Sequence, residues 1–145
     1  MKKVHLFSDG SSLGNPGFGG YCAILKYKDN ERVVSGGQLL ATNNQMELKA
    51  VIEGLKSLKE PCEVDVTSDS SYVVKGINEW LENWIKRSFK KVKNPDLWQE
   101  YIEVSKIHKI QGTWVRGHDG HEENERCDDI ARSVAEQYKR GELSE

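Results

Sequence analysis

The chain contains no apolar run that approaches the roughly 20 residues needed to span a bilayer. Its first three residues, MKK, lead directly into a strand-like stretch, without the apolar segment of a secretory signal peptide. These absences argue against membrane and secreted proteins, and we expect a cytoplasmic location. Cysteine is also scarce, because Cys22, Cys62 and Cys127 are an odd number without Cys-x-x-Cys spacing. We therefore expect small buried cysteines, and neither a disulfide framework nor a cysteine-based zinc site.

Acidic residues are missing from residues 85–94, which carry five lysines and arginines. The rest of the chain holds 16 basic residues against 23 acidic ones, so a cationic segment is set on an acidic body. Polyphosphates are the commonest partners of such a segment. Trp84 and Phe89 lie beside these cations, and interleaved aromatic and basic residues are typical of proteins that hold a nucleic-acid backbone. A solvated surface loop is the alternative interpretation.

The length of 145 residues fits one domain, residues 1–145, around one core. Short stretches with strand-like alternation are interspersed with stretches of helical period, a pattern typical of the α/β class. The third strand, rich in glycine and polar residues, is predicted at an edge of the sheet. Strands are predicted at residues 4–8, 21–28, 31–38, 62–68 and 107–116, and helices at residues 45–59, 71–85, 96–106 and 123–140.

Two predicted strands end in an aspartate that is followed by small residues. Asp9 follows the first strand, and Asp69 follows the strand at residues 62–68. Because a helix lies between them, a right-handed crossover makes these two strands parallel. Their carboxyl ends then meet where α/β sheets bind ligands, with the two aspartates about 5 Å apart. Two carboxylates so close together repel each other when both are ionised, and a divalent cation bound between them would offset this repulsion.

Two predicted helices add one acidic residue each. At about 100° per residue, Glu47 lies at the shoulder of the apolar face of its helix. On the last helix Asp128 projects toward the end of the sheet, whereas Asp129 faces water. Asp9, Glu47, Asp69 and Asp128 are therefore predicted to converge, and a carboxylate site favours Mg²⁺ or Mn²⁺ over zinc. Beside a cationic segment, such a site is typical of two-metal phosphodiester cleavage.

A glycine-flanked loop carries His118, Asp119 and His121. Two histidines suggest zinc, but no cysteine or third histidine is well placed to complete such a site. A histidine in a loop of this kind is more often a surface residue than a catalyst. The residues alone leave both roles open for His118.

Four stretches of the chain, DGSSLGNPGFGG, TNNQMEL, SDSSY and GHDGHEENERCDD, resemble the motifs of the bacterial ribonuclease HI family, the type 1 ribonucleases H. They occur in the family's order, and the resemblance runs over nearly the whole chain. It implies an endonuclease that cuts the RNA strand of RNA–DNA hybrids and leaves 3′-hydroxyl and 5′-phosphate ends. It also implies the ribonuclease H-like α/β fold, a five-stranded mixed sheet of order 3-2-1-4-5 flanked by helices. In this sheet strands 1–3 are antiparallel, and strands 4 and 5 are parallel to strand 1.

The resemblance further implies roles for individual residues. The family's metal ligands match Asp9, Glu47, Asp69 and Asp128, which would hold two Mg²⁺ ions, or Mn²⁺, when substrate is bound. The family's loop histidine, which assists proton transfer or product release, matches His118. The matches to substrate contacts are Asn15, Asn43 and Asn44 in the minor groove, Thr42 at a DNA phosphate, Ser71 in place of a glutamine that touches RNA, and Trp84, Lys86, Arg87, Phe89, Lys90, Lys91 and Lys93 in a basic protrusion.

Two other functions stay open at this point. A non-catalytic hybrid-binding module on the same fold would lack one or more metal ligands, and none is missing from the sequence. Another nuclease or strand-transfer enzyme, such as a Holliday-junction resolvase or an integrase, would keep the acids but lack the asparagines and the basic protrusion. A cation buffer of EF-hand type is excluded, because the sequence has no contiguous loop ligands. We expect a monomer whose partner is an RNA–DNA hybrid.

Overall fold

The computed structural model describes residues 1–116 and 121–144. Five strands within these ranges belong to one sheet, and helices pack on it. The elements are β1 (Lys2–Gly14), β2 (Gly17–Tyr27), β3 (Asn30–Ala41), α1 (Asn43–Lys56), β4 (Cys62–Ser68), α2 (Ser71–Lys75), a π-helical turn (Gly76–Trp80), α3 (Leu81–Lys86), α4 (Pro95–Ser105), β5 (Lys109–Trp114) and α5 (Glu122–Lys139).

The strand order is β3-β2-β1-β4-β5. β2 pairs antiparallel with β1 and β3, whereas β4 pairs parallel with β1 and β5. The predicted fold class, strand order and strand directions are therefore confirmed, and β3 lies at an edge as predicted. Phe7 of β1 is in register with Thr67 of β4. Asp9 and Asp69, each two residues further along, consequently lie at the same end of the sheet.

The glycine-rich stretch, residues 10–20, continues the first two strands and was not predicted as strand. Gly10 pairs with Tyr21, and the register continues to the turn. The sequence prediction left this stretch out because glycine weakens strands. Packing reverses that preference, because a Cβ atom on Gly20 would lie only 2.0 Å from the carbonyl oxygen of Ala131. Only glycine at this position lets α5 pack directly on β2.

The helix predicted over residues 71–85 is interrupted by the π-helical turn Gly76–Trp80. The wider turn adds a residue and rotates the positions that follow around the helix axis. Trp80, which a regular helix with Trp84 four residues later would place in the core, is instead 36% exposed, and its ring lies 5.7 Å from that of Trp84. Trp84 instead packs inward, with its ring 5.0 Å from the fully buried Trp98.

The start of α4 also differs from the prediction. The helix predicted at residues 96–106 begins at Pro95, so that Asn94 is the N-cap and Asp96 lies in the first turn. Pro95 is the reason, because its fixed φ suits the first helical position and its missing N–H is not needed there. At the end of α1, the Ser57 hydroxyl donates to the Gly54 carbonyl at 2.7 Å, so the helix stops three residues before the predicted end.

Helices bury both faces of the sheet. On one face Leu6 packs with Leu48 of α1 and with Trp98 of α4 in the main cluster of buried side chains. On the other face Phe7 packs with Cys127 of α5. All three cysteines are free and buried, as predicted. None of the helices in residues 1–116 and 121–144 has the length and apolar character that crossing a bilayer demands.

Candidate active site

Three acidic side chains meet at the end of the sheet, just beyond the parallel pairing of β1 with β4. One carboxylate oxygen from each of Asp9, Glu47 and Asp69 lies within 4.8 Å of the other two. Asp9 belongs to β1, the middle strand, and is only 5% exposed. The structure thus brings together three of the four predicted carboxylates, while their role as metal ligands stays a prediction.

Glu47 can approach Asp9 because Gly10 has no side chain. A Cβ atom on Gly10, the next residue of β1, would lie 2.3 Å from the backbone nitrogen of Glu47. The start of α1 is fixed by a capping box, in which Thr42 Oγ1 accepts from the Gln45 N–H at 3.2 Å and Gln45 Oε1 accepts from the Thr42 N–H at 3.0 Å. Any side chain at residue 10 would push α1, and Glu47 with it, away from the sheet.

Burial makes these acids difficult to ionise together. The pKa of Glu47 is raised well above its ordinary value, first by burial and then by the negative charge of Asp9. Burial also raises the pKa of Asp9 from 3.8 to about 7; the hydrogen bond from Glu47 opposes this rise, and the charges of Asp69 and Asp128 add to it. In the absence of a cation, Glu47 therefore holds a proton and donates a hydrogen bond to Asp9.

The cluster has the chemistry of a divalent-cation site. Oε2 of Glu47 is buried and makes no hydrogen bond within the described part of the chain. A buried acceptor of this kind costs free energy, and a cation bound to this oxygen would relieve the cost. The donors that Asp9, Glu47 and Asp69 offer are carboxylate oxygens, which hard cations such as Mg²⁺ prefer. The side chains present therefore fit a divalent cation.

The fourth predicted carboxylate, Asp128, is bound by an arginine. Its Oδ2 accepts from Nη2 of Arg132 at 2.6 Å, and the same nitrogen donates to Asp129 at 3.0 Å. The side chain of Asp128 is 27% exposed against 77% for Asp129, in agreement with the predicted orientation of the two. The charge of Asp128 also reaches Asp9, whose pKa it raises. Its role as a metal ligand stays a prediction.

Replacing Arg132 by glutamine is expected to tighten divalent-cation binding. The change frees the Asp128 carboxylate and removes a positive charge, so we expect a gain of about two- to fivefold, the range of a partly exposed ion pair. Calorimetric titration with Mn²⁺ measures this gain. Arg140→Gln is the matched control, because Arg140 lies after the same helix and pairs with Glu136 and Glu142. Unchanged or weaker Mn²⁺ binding by R132Q would contradict the prediction.

A tryptophan that the sequence analysis did not single out ties the turn at Asp69 to β5. The indole N–H of Trp114 donates to the Asp69 carbonyl at 3.1 Å, and the Val115 N–H donates to the Ser68 carbonyl at 3.0 Å. Within the turn, the Ser70 N–H donates to Oγ of Ser68 at 3.0 Å. Trp114 is 52% exposed, and this hydrogen bond explains why so large a ring is held at the surface. The available sequence signal was an aromatic residue at the end of a predicted strand.

Trp114→Phe keeps an aromatic ring but removes the donor that holds the turn. We expect the Mn²⁺ affinity of the cluster to fall about fivefold, which corresponds to the loss of one hydrogen bond of about 1 kcal/mol. Calorimetric titration measures the affinity, and a thermal melt verifies the fold. Trp80→Phe is the control, since the ring of Trp80 packs on Trp84. Wild-type Mn²⁺ affinity in W114F would show that the indole does not position Asp69.

The start of α1 and the β1–β2 turn form a polar rim beside the carboxylates. Oδ1 of Asn43 accepts from both the N–H and the hydroxyl of Ser12 at 3.0 Å, and the Asn43 N–H donates to Oδ1 of Asn15 at 3.1 Å. Thr42 caps α1, and Asn44 is partly exposed next to it. The structure thus gathers the four predicted substrate contacts of this region and adds Ser12, which orients Asn43. Their contacts with a substrate stay predictions.

We refer to residues 84–93 as the basic segment. Its five cations are exposed, and four of them line a surface groove of about 540 Å³. Ser88, Phe89 and Lys91 have φ angles of 53°, 61° and 62°, in the left-handed region. The rings of Trp84 and Phe89 pack against the core, which favours an anchoring role for them over stacking on bases. The exposed cations are Lys86, Arg87, Lys90, Lys91 and Lys93.

Ser71 and His118 are the remaining predicted site residues. Ser71 is the exposed first residue of α2, directly after the N-cap Ser70. His118 lies outside the described residues, and so does Asp119, so the prediction for the loop histidine stays a prediction. His121 is described and is the exposed N-cap of α5.

Comparison with known proteins gives a consistent result. The RNase H family model matches residues 1–136. The chain is similar to a ribonuclease H of Sulfurovum sp. (strain NBC37-1), with 66% identity over 138 residues that cover 95% of this chain and 94% of that protein. It is also similar to ribonuclease HI of Helicobacter pylori (strain ATCC 700392 / 26695), with 57% identity over 136 residues that cover 94% of this chain and 95% of that protein.

Solved structures agree with the sequence comparison. LC9-RNase H1, a type 1 RNase H with the type 2 active-site motif, is similar at a TM-score of 0.86 and 31% identity, covering 94% of this chain and 73% of that chain. LC11-RNase H1, solved in complex with an RNA/DNA hybrid, shares the fold at a TM-score of 0.69 and 21% identity, covering 94% of this chain and 99% of that chain. Because the family model spans residues 1–136 and the curated relatives are more than half identical, this chain belongs to the ribonuclease H family.

Proposed function

We propose that this chain is an endonuclease that hydrolyses the RNA strand of RNA–DNA hybrids and leaves 3′-hydroxyl and 5′-phosphate ends. The observation that carries the proposal is the meeting of Asp9, Glu47 and Asp69 within 4.8 Å in a member of the ribonuclease H family. A binding module without activity would gain nothing from this cluster, because buried acids destabilise the fold when no cation is bound.

Asp9, Glu47 and Asp69 would hold the cation, and Asp128 would join them on release from Arg132. We propose Mg²⁺ as the cation, with Mn²⁺ as an alternative, and two ions when the hybrid is bound. When bound, such a pair supplies an activated water and stabilises the leaving 3′-oxygen. Glu47 holds a proton in the metal-free protein, and it would lose that proton on becoming a ligand.

The residues around the carboxylates would provide the substrate contacts. Asn15, Asn43 and Asn44 would contact the minor groove, where the 2′-hydroxyls of the RNA strand are displayed. The bonds from Ser12 hold Asn43 in one orientation, which reduces the entropy lost on binding. Cations of the basic segment would contact backbone phosphates. Further proposed roles are a DNA phosphate contact for Thr42, an RNA contact for Ser71, and proton transfer or product release for His118.

One assay tests the proposed function. A labelled RNA–DNA hybrid, matching duplex RNA and matching duplex DNA are each incubated with the purified chain in Mg²⁺ or in EDTA. We expect cleavage of the hybrid's RNA strand in Mg²⁺ alone, with 3′-hydroxyl ends on the products. Binding of the hybrid without cleavage would favour the non-catalytic module, and cleavage of duplex DNA would favour another nuclease of the superfamily.

We further propose that residues 1–145 act as a single domain and as a monomer in the cytoplasm. The five strands of the described residues form one sheet, and Asp9, Glu47 and Asp69 meet at its end. Gel filtration at the protein concentration of the cleavage assay measures the oligomeric state.

A further inference from the structure

Three ion pairs join the start of α5 to the β2–β3 hairpin. On the strands, Lys26 and Glu31 are register partners, with Nζ and Oε1 3.9 Å apart. On the helix, Glu123 and Arg126 are one turn apart. Nζ of Lys26 donates to Oε1 of Glu123 at 2.6 Å, and Arg126 donates to the two carboxylate oxygens of Glu31 at 2.9 and 3.0 Å. We refer to these four residues as the ion-pair network.

The ion-pair network holds a helix start that has no side-chain cap. The N-cap of α5, His121, makes no capping hydrogen bond with its side chain, and the first N–H groups of a helix have no partner within the helix. Single exposed ion pairs contribute little, but a bidentate arginine in a network of charges is the exception. The hydrogen bonds from Arg126 and from Lys26 lower the pKa of Glu31 and of Glu123, respectively, so both acids are ionised at neutral pH.

Two further hydrogen bonds tie the same turns of α5 to the strands that carry the clustered aspartates. Nδ2 of Asn124 donates to the Thr67 carbonyl of β4 at 3.2 Å, and Sγ of Cys127 donates to the Phe7 carbonyl of β1 at 3.4 Å. Each carbonyl lies two residues before the aspartate that follows in its chain segment. The part of α5 directly before Asp128 is therefore bound to β1, β2, β3 and β4.

Asp128 gains from a fixed helix because it has two possible partners. Its carboxylate accepts from Arg132 at 2.6 Å, and its charge adds to the burial that raises the pKa of Asp9. If the backbone of α5 stays in place, rotation of the Asp128 side chain alone exchanges Arg132 for a cation. Mg²⁺ requires oxygen ligands at about 2.0–2.1 Å in nearly octahedral geometry, so a small displacement of the helix start would weaken this contact.

We propose that the ion-pair network positions Asp128 as a cation ligand, so that Lys26, Glu31, Glu123 and Arg126 are positioning residues for the reaction. This inference rests on the proposed function, in which Asp128 joins the other carboxylates on release from Arg132. None of the four charged residues is among those proposed to hold the cation or the hybrid. Breaking the network would loosen the start of α5 and weaken cation binding, while the contacts with the hybrid would be kept.

Two single variants and one fourfold variant test the charges. Glu31→Gln and Arg126→Gln each remove one partner of the bidentate pair. The fourfold variant reverses every charge of the network and so restores all three ion pairs with opposite sign; it combines Lys26→Glu, Glu31→Arg, Glu123→Lys and Arg126→Glu. A role that depends on charge pairing is lost in the single variants and recovered in the fourfold variant.

The matched control breaks an ion pair on the opposite face of the sheet. Glu100→Gln removes the partner of Lys56, whose Nζ lies 3.1 Å from Oε2 of Glu100 and joins α1 to α4. Both residues are partly exposed, as in the ion-pair network. The control therefore reports what the loss of one ion pair between two elements does when α5 is not involved.

Cation affinity is the main readout. Calorimetric titration of the hybrid-free protein with Mn²⁺ gives the affinity directly, and the Mg²⁺ concentration for half-maximal cleavage gives it in the presence of the hybrid. In E31Q and R126Q we expect Mn²⁺ binding to weaken about two- to fivefold and the Mg²⁺ requirement to rise by the same factor. KM for the hybrid in saturating Mg²⁺ should stay at the wild-type value. The fourfold variant and E100Q should lie within about twofold of the wild type.

A second background separates positioning from stability. If Arg126 acts through Asp128, Arg126→Gln should weaken Mn²⁺ binding in the wild-type background and have no further effect in Asp128→Asn. The loss of thermal stability caused by Arg126→Gln should be the same in both backgrounds, because the ion pair is broken in each. A double-mutant cycle of this kind measures the coupling between the two residues.

Wild-type Mn²⁺ affinity in both E31Q and R126Q would overturn the inference. An equal loss of affinity on adding R126Q to D128N would also overturn it, and so would a folded fourfold variant that stays weak. If the fourfold variant does not fold, the cycle with D128N decides alone. Failure of the wild-type chain to cut the hybrid in Mg²⁺ would overturn the proposed function, whereas the Mn²⁺ titrations need no hybrid and still decide the inference.

Discussion

The Asp9→Asn variant is expected to lose hybrid cleavage by about 10³-fold or more, while its metal-free form unfolds at a higher temperature than the wild type. Asp9 is only 5% exposed and accepts hydrogen bonds from Glu47 and from the Gly10 N–H. Removing its charge takes away a metal ligand, and cation stabilisation of a phosphoryl transition state is worth several kcal/mol. The amide has nearly the same shape, so packing is kept while the cost of burying a charge is removed.

The gain in stability has a defined pH dependence. Burial, assisted by the charges of Asp69 and Asp128 and opposed by the Glu47 hydrogen bond, raises the pKa of Asp9 from 3.8 to about 7. The folded protein then binds this proton more tightly than the unfolded chain does. The contribution of Asp9 to the free energy of unfolding is therefore fully present below about pH 4 and is lost as the pH rises through 7. In EDTA at pH 8 we expect D9N to be more stable by on the order of 2 kcal/mol.

Urea unfolding in EDTA at pH 5 and pH 8, together with hybrid cleavage in Mg²⁺, measures both effects. Asp129→Asn is the matched control, because it makes the same substitution on a side chain that is 77% exposed. It should leave cleavage and stability close to wild type. Cleavage by D9N at the wild-type rate would remove Asp9 from the chemistry. A D9N protein less stable than wild type in EDTA at pH 8 would contradict the role of burial.

Much of this site followed from the period of the sequence. The strand predicted at residues 62–68 has those bounds in the structure, since its alternating apolar residues face the core. The orientation of Asp128 relative to Asp129 followed from helical geometry, because the adjacent Cys127 is fully buried. The parallel direction of the first and fourth strands could be predicted because a helix connects the sheet's third strand to its fourth. Such features depend on residues near one another in sequence, which a single chain displays.

The rest depends on contacts between distant residues. The hydrogen bond from Tyr72 to the Lys93 carbonyl joins residues 21 positions apart, and the one from Trp114 to the Asp69 carbonyl joins residues 45 positions apart. No local sequence pattern predicts either hydrogen bond. The π-helical turn that exposes Trp80 inserts a residue into an otherwise regular pattern. The strand character of the glycine-rich stretch depends on the close approach of α5. In each case tertiary packing outweighs local preference, and local preference is what sequence analysis measures.

Replacing Lys90, Lys91 and Lys93 together by alanine is expected to raise the KM for the hybrid about tenfold or more and to leave kcat within about twofold. The three side chains are exposed in a segment without acids. Contacts with remote phosphates are equally strong in the ground state and the transition state, so their loss weakens binding and spares the chemical step. When the variant binds the hybrid, fewer counterions are released from the phosphates. The slope of log KM against log salt concentration should therefore fall by about 2.

A second triple variant separates local contacts from overall charge. Lys3, Lys28 and Lys109 are exposed lysines that line a cavity at the other end of the sheet, and replacing them by alanine removes the same charge. If net charge governed binding, both triple variants would raise KM alike, whereas phosphate contacts predict an effect of the first alone. A fall in kcat at constant KM would instead assign the lysines of the basic segment to the chemical step. The hydroxyl of Tyr72 donates to the main-chain carbonyl of Lys93. Lys93→Ala keeps that hydrogen bond, so the triple variant tests the lysine side chains alone.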